Sequence, residues 1–231
     1  MELTPLPASL PLRLALPCLA LLTSACSRPV TPEPALANPP FSAEKGVVYL
    51  FPGVNFPSTD VSVTGMTRLA ERLRAQGVTA ALYSPANWSA AADAALAQPQ
   101  GTPIAVAGYA LGGEAASQFA DKLRGAGLPV QTLVSIEGFT AEPLPCNVRA
   151  AVDIFSRDGR WNLATRLEPG KGYSGDLQRI DWLARQDQKN AGPWVYTMDP
   201  NAFGLAEKAL LQQGRVREQL PSVFERRCHI G

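Results

Sequence analysis

Histidine is almost missing from this chain. One residue, His229, carries the type in 231 positions. A histidine-rich metal centre is therefore excluded, and so is any site that needs two imidazoles. Cysteine is scarce too, at four residues, so a transition-metal site has few soft ligands to draw on. Asp153, Asp158, Glu168 and Asp176 are scattered without metal-ligand spacing. No charge of one sign dominates: Lys+Arg 21 stand against Asp+Glu 20, for a net charge of +1, with no basic run or stripe. That balance argues against a nucleic-acid partner. No phosphate loop is present, because Gly108 to Gly113 lacks the Lys-Ser/Thr ending that would hold a nucleotide. The sequence implies no cofactor and no metal. The longest early apolar run, Leu14 to Leu22, is too short to span a bilayer as a helix, and no internal repeat is visible.

What remains is the composition of a folded globule, with 46% hydrophobic and 18% charged residues and length enough for one full core. The N-terminal stretch stands apart from it. Arg13 is the one positive charge before the apolar run, and Thr23-Ser24-Ala25-Cys26 follows. This is the layout of a signal peptide. Small residues before a cysteine resemble the lipobox of bacterial lipoproteins, although Thr23 stands where leucine is commoner and Glu2 weakens the basic start. Cys18 is a poor rival because Pro17 precedes it.

The resemblance implies that residues 1–25 are removed and that Cys26 carries lipid, anchoring the protein in a membrane. With Ser27 rather than aspartate after the cysteine, it points to the outer membrane, facing the periplasm. The alternative is an ordinary cleaved signal peptide and a free periplasmic protein. Residues 26–45 hold Pro29, Pro32, Pro34, Pro39 and Pro40 and read as a semi-rigid tether, leaving 46–231 as the domain.

Cys146 and Cys228 are then left over. In an oxidising compartment a disulfide is expected between them, closing a loop of 228 − 146 = 82 residues and pinning the tail to the domain. Two unrelated thiols are the alternative.

From Gly46 short apolar runs alternate with amphipathic segments. Strands are predicted at 46–51, 78–83, 103–107, 130–136, 148–155 and 177–183, and helices at 64–76, 88–97, 112–124 and 202–213. Gly77 should end the first helix, and Asn87 or Ser89 should cap the second. Alternation at this spacing argues for an α/β fold: a three-layer α/β/α sandwich with a mostly parallel sheet.

The sharpest local signal is Val106-Ala107-Gly108-Tyr109-Ala110-Leu111-Gly112-Gly113, set between a buried strand and a helix. That is the context of a nucleophile elbow, in which glycines admit a backbone that side chains would block. Here the chain resembles the α/β-hydrolases, and more narrowly the small bacterial thioesterase- and lipase-like members whose elbow reads Gly-His-Ser-Leu-Gly. The resemblance runs from about Gly46 to Gln213 and includes Asn147 to Val152. It implies an oxyanion loop at Phe51-Pro52-Gly53-Val54, an acid after a strand at Glu137, and a general base after the last strand, near 192–198.

The departures bear on function. The nucleophile position is Ala110, Tyr109 replaces the preceding histidine, and no histidine stands near 192–198. Nucleophile, base and acid act as a unit, so hydrolysis by that route is not expected, and Glu137 is left as a vestigial acid. His229 reads as a tail residue. Ser84, Ser89 and Ser117 are candidates for a relocated nucleophile, each without a visible base. Trp161, Trp182, Trp194 and Tyr196 line either a groove or the core.

The expectation is a binding or interaction module at the envelope, taking an acyl chain, a peptide or a partner envelope protein in the former crevice. The alternative is an active esterase or thioesterase with a rearranged site.

Overall fold

The computed structural model describes residues 46–53, 65–139, 142–155, 166–181, 200–211 and Cys228. The signal peptide, Cys26 and the tether lie outside them. So do Val54, Asp158, Trp161, Trp182, the 192–198 segment, residues 212–213 of the last expected helix, and His229.

In chain order the elements are β1 (Val47–Phe51), α1 (Gly65–Ala75), β2 (Thr79–Leu82), α2 (Trp88–Leu96), β3 (Ile104–Tyr109), α3 (Leu111–Gly125), β4 (Val130–Ile136), β5 (Val148–Phe155), β6 (Asp176–Asp181) and α4 (Pro200–Leu211). The six strands form one sheet in the order β2-β1-β3-β4-β5-β6, and every pairing is parallel. Parallel strands are buried on both faces, which is why β1 (Val-Val-Tyr-Leu-Phe) is apolar throughout instead of alternating.

Side-chain parity divides the core. Val47, Tyr49, Phe51, Val106 and Leu133 pack under α2 and α3, where Phe119 meets the rings of Tyr49 and Phe51 at 4.9 Å and 5.9 Å. Val48, Leu50, Ala107, Val134 and Ile154 pack on the other face, against Leu69 and Leu73 of α1 and Phe203 and Leu210 of α4. The architecture is a three-layer α/β/α sandwich around a parallel sheet.

Local chemistry sets the ends of the elements. Gly77, at φ 76°, ends α1: its N–H donates to the Arg74 carbonyl at 2.8 Å, and the Val78 N–H donates to the Leu73 carbonyl at 3.0 Å. Arg74 then turns its guanidinium onto the Ala80 carbonyl (Nε 3.0 Å, Nη2 2.6 Å), occupying an outward-facing acceptor on edge strand β2.

Two expectations need correction. Asn87 stands at the N-cap position of α2, as expected, but its side chain makes no capping hydrogen bond, and Ser89 lies inside the helix. A 3-10 turn, Pro85–Asn87, leads into that helix, so Asn87 is already wound and its N–H donates to the Ser84 carbonyl. The strand expected at 103–107 runs on to Tyr109, and α3 begins at Leu111. Gly108 pairs in register with Phe51 and Ser135, so it is part of the strand and not of a glycine-rich turn.

Cys146 is bonded to Cys228, with their Cα atoms 5.4 Å apart. The bridge sits just ahead of β5. There Asn147 donates to the carbonyls of Ala120 (3.0 Å) and Leu128 (2.8 Å), tying the end of α3 to the start of β5.

Candidate functional site

The chain reverses its direction of travel across the sheet at β1. It steps outward to β2, then returns to place β3 on the other side of β1. Such a switch point leaves a crevice at the carboxyl ends of the two strands. Pro52-Gly53 and Ala110 are the residues that follow β1 and β3 there.

Ala110 alone makes the turn between β3 and α3. Its φ of 51° and ψ of −119° lie outside the wells that an L-residue ordinarily occupies, at a cost of order 1–3 kcal/mol. Three backbone hydrogen bonds hold it. Its N–H donates to the Ile136 carbonyl at 3.0 Å, and its own carbonyl accepts from Gly113 at 2.9 Å and from Phe139 at 3.0 Å.

Glycines make the close approach possible. A Cβ on Gly108 would collide with the backbone of Gly112 and Gly113, and one on Gly112 would strike the carbonyl of Phe51. Gly53 lies so near that a Cβ there would come within 3.2 Å of the Ala110 methyl. The β1 loop and the elbow are therefore in contact. The first N–H groups of α3, those of Leu111 and Gly112, open toward this end of the sheet with the positive end of the helix dipole.

Tyr109 precedes the turn. Its ring packs beside Gly53 and lies 6.3 Å from the Phe203 ring of α4. Burial, with a smaller contribution from the nearby Glu137 charge, pushes its hydroxyl up to about 12, so it is no base at neutral pH. Leu111, on the other flank, is 44% exposed, an uncommon setting for a large apolar side chain beside a glycine-rich turn. Glu137 directly follows β4 with φ 48°, and its N–H donates to the Ile154 carbonyl at 2.8 Å. The fold thus brings Ala110, Tyr109, Leu111 and Glu137 to one end of the sheet.

None of the candidate serines occupies the turn position itself. Ser117 is 1% exposed inside α3. Ser89 is on the α2 surface, where the Lys122 ammonium donates to its Oγ at 2.9 Å. Ser84 is exposed ahead of the 3-10 turn.

The disulfide fixes where Cys228 lies along the sheet. Strand register sets Val148 level with Val130 and Tyr109 level with Ile136, so six residues of β4 separate the two levels. At about 3.3 Å per residue the separation is roughly 20 Å. Cys146 lies below the lower level and Ala110 above the upper one. The disulfide therefore lies at the end of the sheet opposite the elbow.

Sequence reading passed over Ser135 and placed Asp153 among scattered acids. Both are fully buried, one row beneath the elbow. The signal was available: each is a lone polar residue inside an otherwise apolar strand. Among the described residues no group of three or more His, Cys, Asp or Glu side chains is gathered to hold a metal ion.

A parallel sheet with a switch point, and a strained strand-to-helix turn at that point, define the class of framework. No protein-family model matches the chain, and no curated protein matches it. Solved structures similar to it include a lidless α/β serine hydrolase from Xanthomonas campestris, 16% identical with a TM-score of 0.45, over 83% of this chain and 88% of that one. Another is Est1E from Butyrivibrio proteoclasticus, 11% identical with a TM-score of 0.42, over 74% and 87% of the two chains. At these values the likeness carries no argument about chemistry, which rests on the geometry above.

Proposed function

We propose that this protein is a lipid-anchored protein of the bacterial envelope whose α/β-hydrolase-like domain binds a ligand without cleaving it. One observation carries the reading. The elbow is fully built and its turn residue is strained, yet that residue is Ala110, whose methyl group has no lone pair with which to attack a carbonyl.

Supporting it, Ser117 is buried inside α3, and the Ser89 hydroxyl accepts a hydrogen bond from the Lys122 ammonium. Leu111, exposed beside the turn, favours an acyl chain over a polar ligand. Helix-terminal N–H groups suit its carbonyl or carboxylate head. The lipid on Cys26 and the tether over residues 26–45 would hold the domain on the outer membrane, facing the periplasm.

The test uses the mature protein. A fluorophosphonate probe should label no residue, p-nitrophenyl esters and acyl thioesters should not turn over, and a fluorescent fatty acid should bind. Probe labelling of any serine would establish the active-hydrolase alternative. Radiolabelled palmitate should enter the wild type and not Cys26→Ala; equal labelling would remove the anchor from the proposal.

A further inference from the structure

Phe51, Gly108, Ser135, Asp153 and Arg179 form one row across five adjacent strands, from β1 through β3, β4 and β5 to β6. Neighbours in register on parallel strands point to the same face, here the face under α3. Strand spacing of about 4.8 Å therefore brings the Ser135 and Asp153 side chains together. Both residues are 0% exposed. Asp153 Oδ2 accepts from the Leu167 N–H at 3.2 Å. Asp153 Oδ1 and Ser135 Oγ, the two remaining polar atoms, are buried with no hydrogen-bond partner.

The charged groups around Asp153 make other contacts. From β6, Arg179 spends its Nη2 on the Leu167 carbonyl (2.7 Å) and on Glu168 Oε2 (3.1 Å). From the segment before β6, Arg166 lies over the Phe155 ring at 3.1 Å, and Glu168 adds a negative charge. β4 contributes only the Ser135 hydroxyl, and β3 contributes Gly108, which has no side chain. No basic group among the described residues forms an ion pair with Asp153.

We infer that Asp153 is a proton-bearing carboxylic acid whose Oδ1–H donates to Ser135 Oγ, closing a buried polar link between the sheet beneath the elbow and the 166–170 crossover segment. Rotation about χ1 of Ser135, whose Oγ now faces Gly138, completes the bond. The protonated form leaves no orphan: Oδ2 accepts from Leu167 and Oδ1 donates to Ser135. An ionised carboxylate with an unpartnered oxygen at zero exposure would be far costlier. In keeping with this, burial raises the proton affinity of Asp153 and outweighs the opposing Leu167 hydrogen bond and the Arg166 and Arg179 charges.

The sign follows. A carboxyl whose folded pKa is raised contributes stability that is complete below its unfolded value, 3.8, and is lost as pH rises through the folded value. Asp153→Asn places an NH₂ donor where the acid proton sits. It should be at least as stable as wild type at neutral pH and should lack the wild-type loss of thermal midpoint between acid and neutral pH.

The readout that needs no folded variant is the carboxyl-carbon NMR titration of ¹³C-aspartate wild-type protein. One carboxyl should titrate above the ordinary range of about 4. Ser135→Ala should move the same resonance toward that range. If every aspartate titrates at or below about 4, or if Asp153→Asn is less stable than wild type and keeps its pH dependence, the inference is overturned.

Discussion

Ala110 and Glu137, the two non-glycine residues with positive φ among those described, are bracketed by one set of hydrogen bonds. The Ala110 N–H donates to the carbonyl of Ile136, immediately before Glu137. The Ala110 carbonyl accepts from Phe139, two residues after it. The loop after β4 and the turn after β3 therefore hold each other in strained conformations, and neither can relax alone. Gly113 and Gly138 allow it, since a Cβ on Gly113 would come within 2.7 Å of the Gly138 Cα. Strain of this kind gathers at binding and catalytic centres, and here it surrounds a methyl group.

Replacing Ala110 with serine should leave the fold intact, because the added oxygen projects into the crevice. It should not create turnover, since no histidine stands near it among the described residues. Ester hydrolysis indistinguishable from the parent is the expected result, and burst kinetics would contradict it. Ala110→Val should instead cost about 2 kcal/mol or more, because a β-branched side chain tolerates positive φ poorly. Urea denaturation midpoints would show the difference.

Gly112→Ala should be more damaging than any substitution on the exposed face of α3. Its methyl would enter the Phe51 carbonyl, which is backbone of an interior strand and cannot rotate away. A loss of about 3 kcal/mol, or failure to fold, is expected. Gly125→Ala, in the same helix with nothing within 4 Å of the added carbon, is the control and should be neutral or slightly stabilising in thermal melts.

Opening the Cys146–Cys228 bridge, which spans 82 residues, should lower stability by at most about 4.5 kcal/mol on the chain-entropy account. Oxidised and reduced protein compared in urea would measure it. Because the bridge lies at the end of the sheet opposite the elbow, binding of a fluorescent fatty acid should survive reduction under conditions where the domain remains folded.

Tyr109 should stay un-ionised far into alkali. Its hydroxyl is raised from 10.0 to about 12, so the folded state holds that proton more tightly than the unfolded chain does. The corresponding stability is intact below about pH 10 and is lost as pH rises toward about 12. Tyrosinate absorbance should show a late increment that Tyr109→Phe removes; an unchanged curve would place Tyr109 in solvent.

Much of the sheet was legible from the chain alone. Both predicted boundaries of β4 and β5 stand, because buried parallel strands appear as apolar runs such as Val130–Ile136 that turn signals interrupt. The helix before Gly77 was readable because Leu69 and Leu73 fall one turn apart and a glycine can take the left-handed conformation that stops it. Residue identity also decided the chemistry on offer at the turn: alanine at 110 and a single histidine are facts of composition.

Three things waited for the tertiary structure. Gly108 looked like part of a turn and is a strand residue, since only the approach of α3 reveals what a side chain there would strike. Which end of the sheet Cys228 occupies depended on where Cys146 lies, just ahead of β5, a place in space that spacing in sequence does not encode. Ser135 and Asp153, eighteen positions apart in the chain, became neighbours through the register of β4 with β5. Local sequence dictates which conformations a segment tolerates and which atoms it can offer; long-range packing alone determines which of those atoms meet.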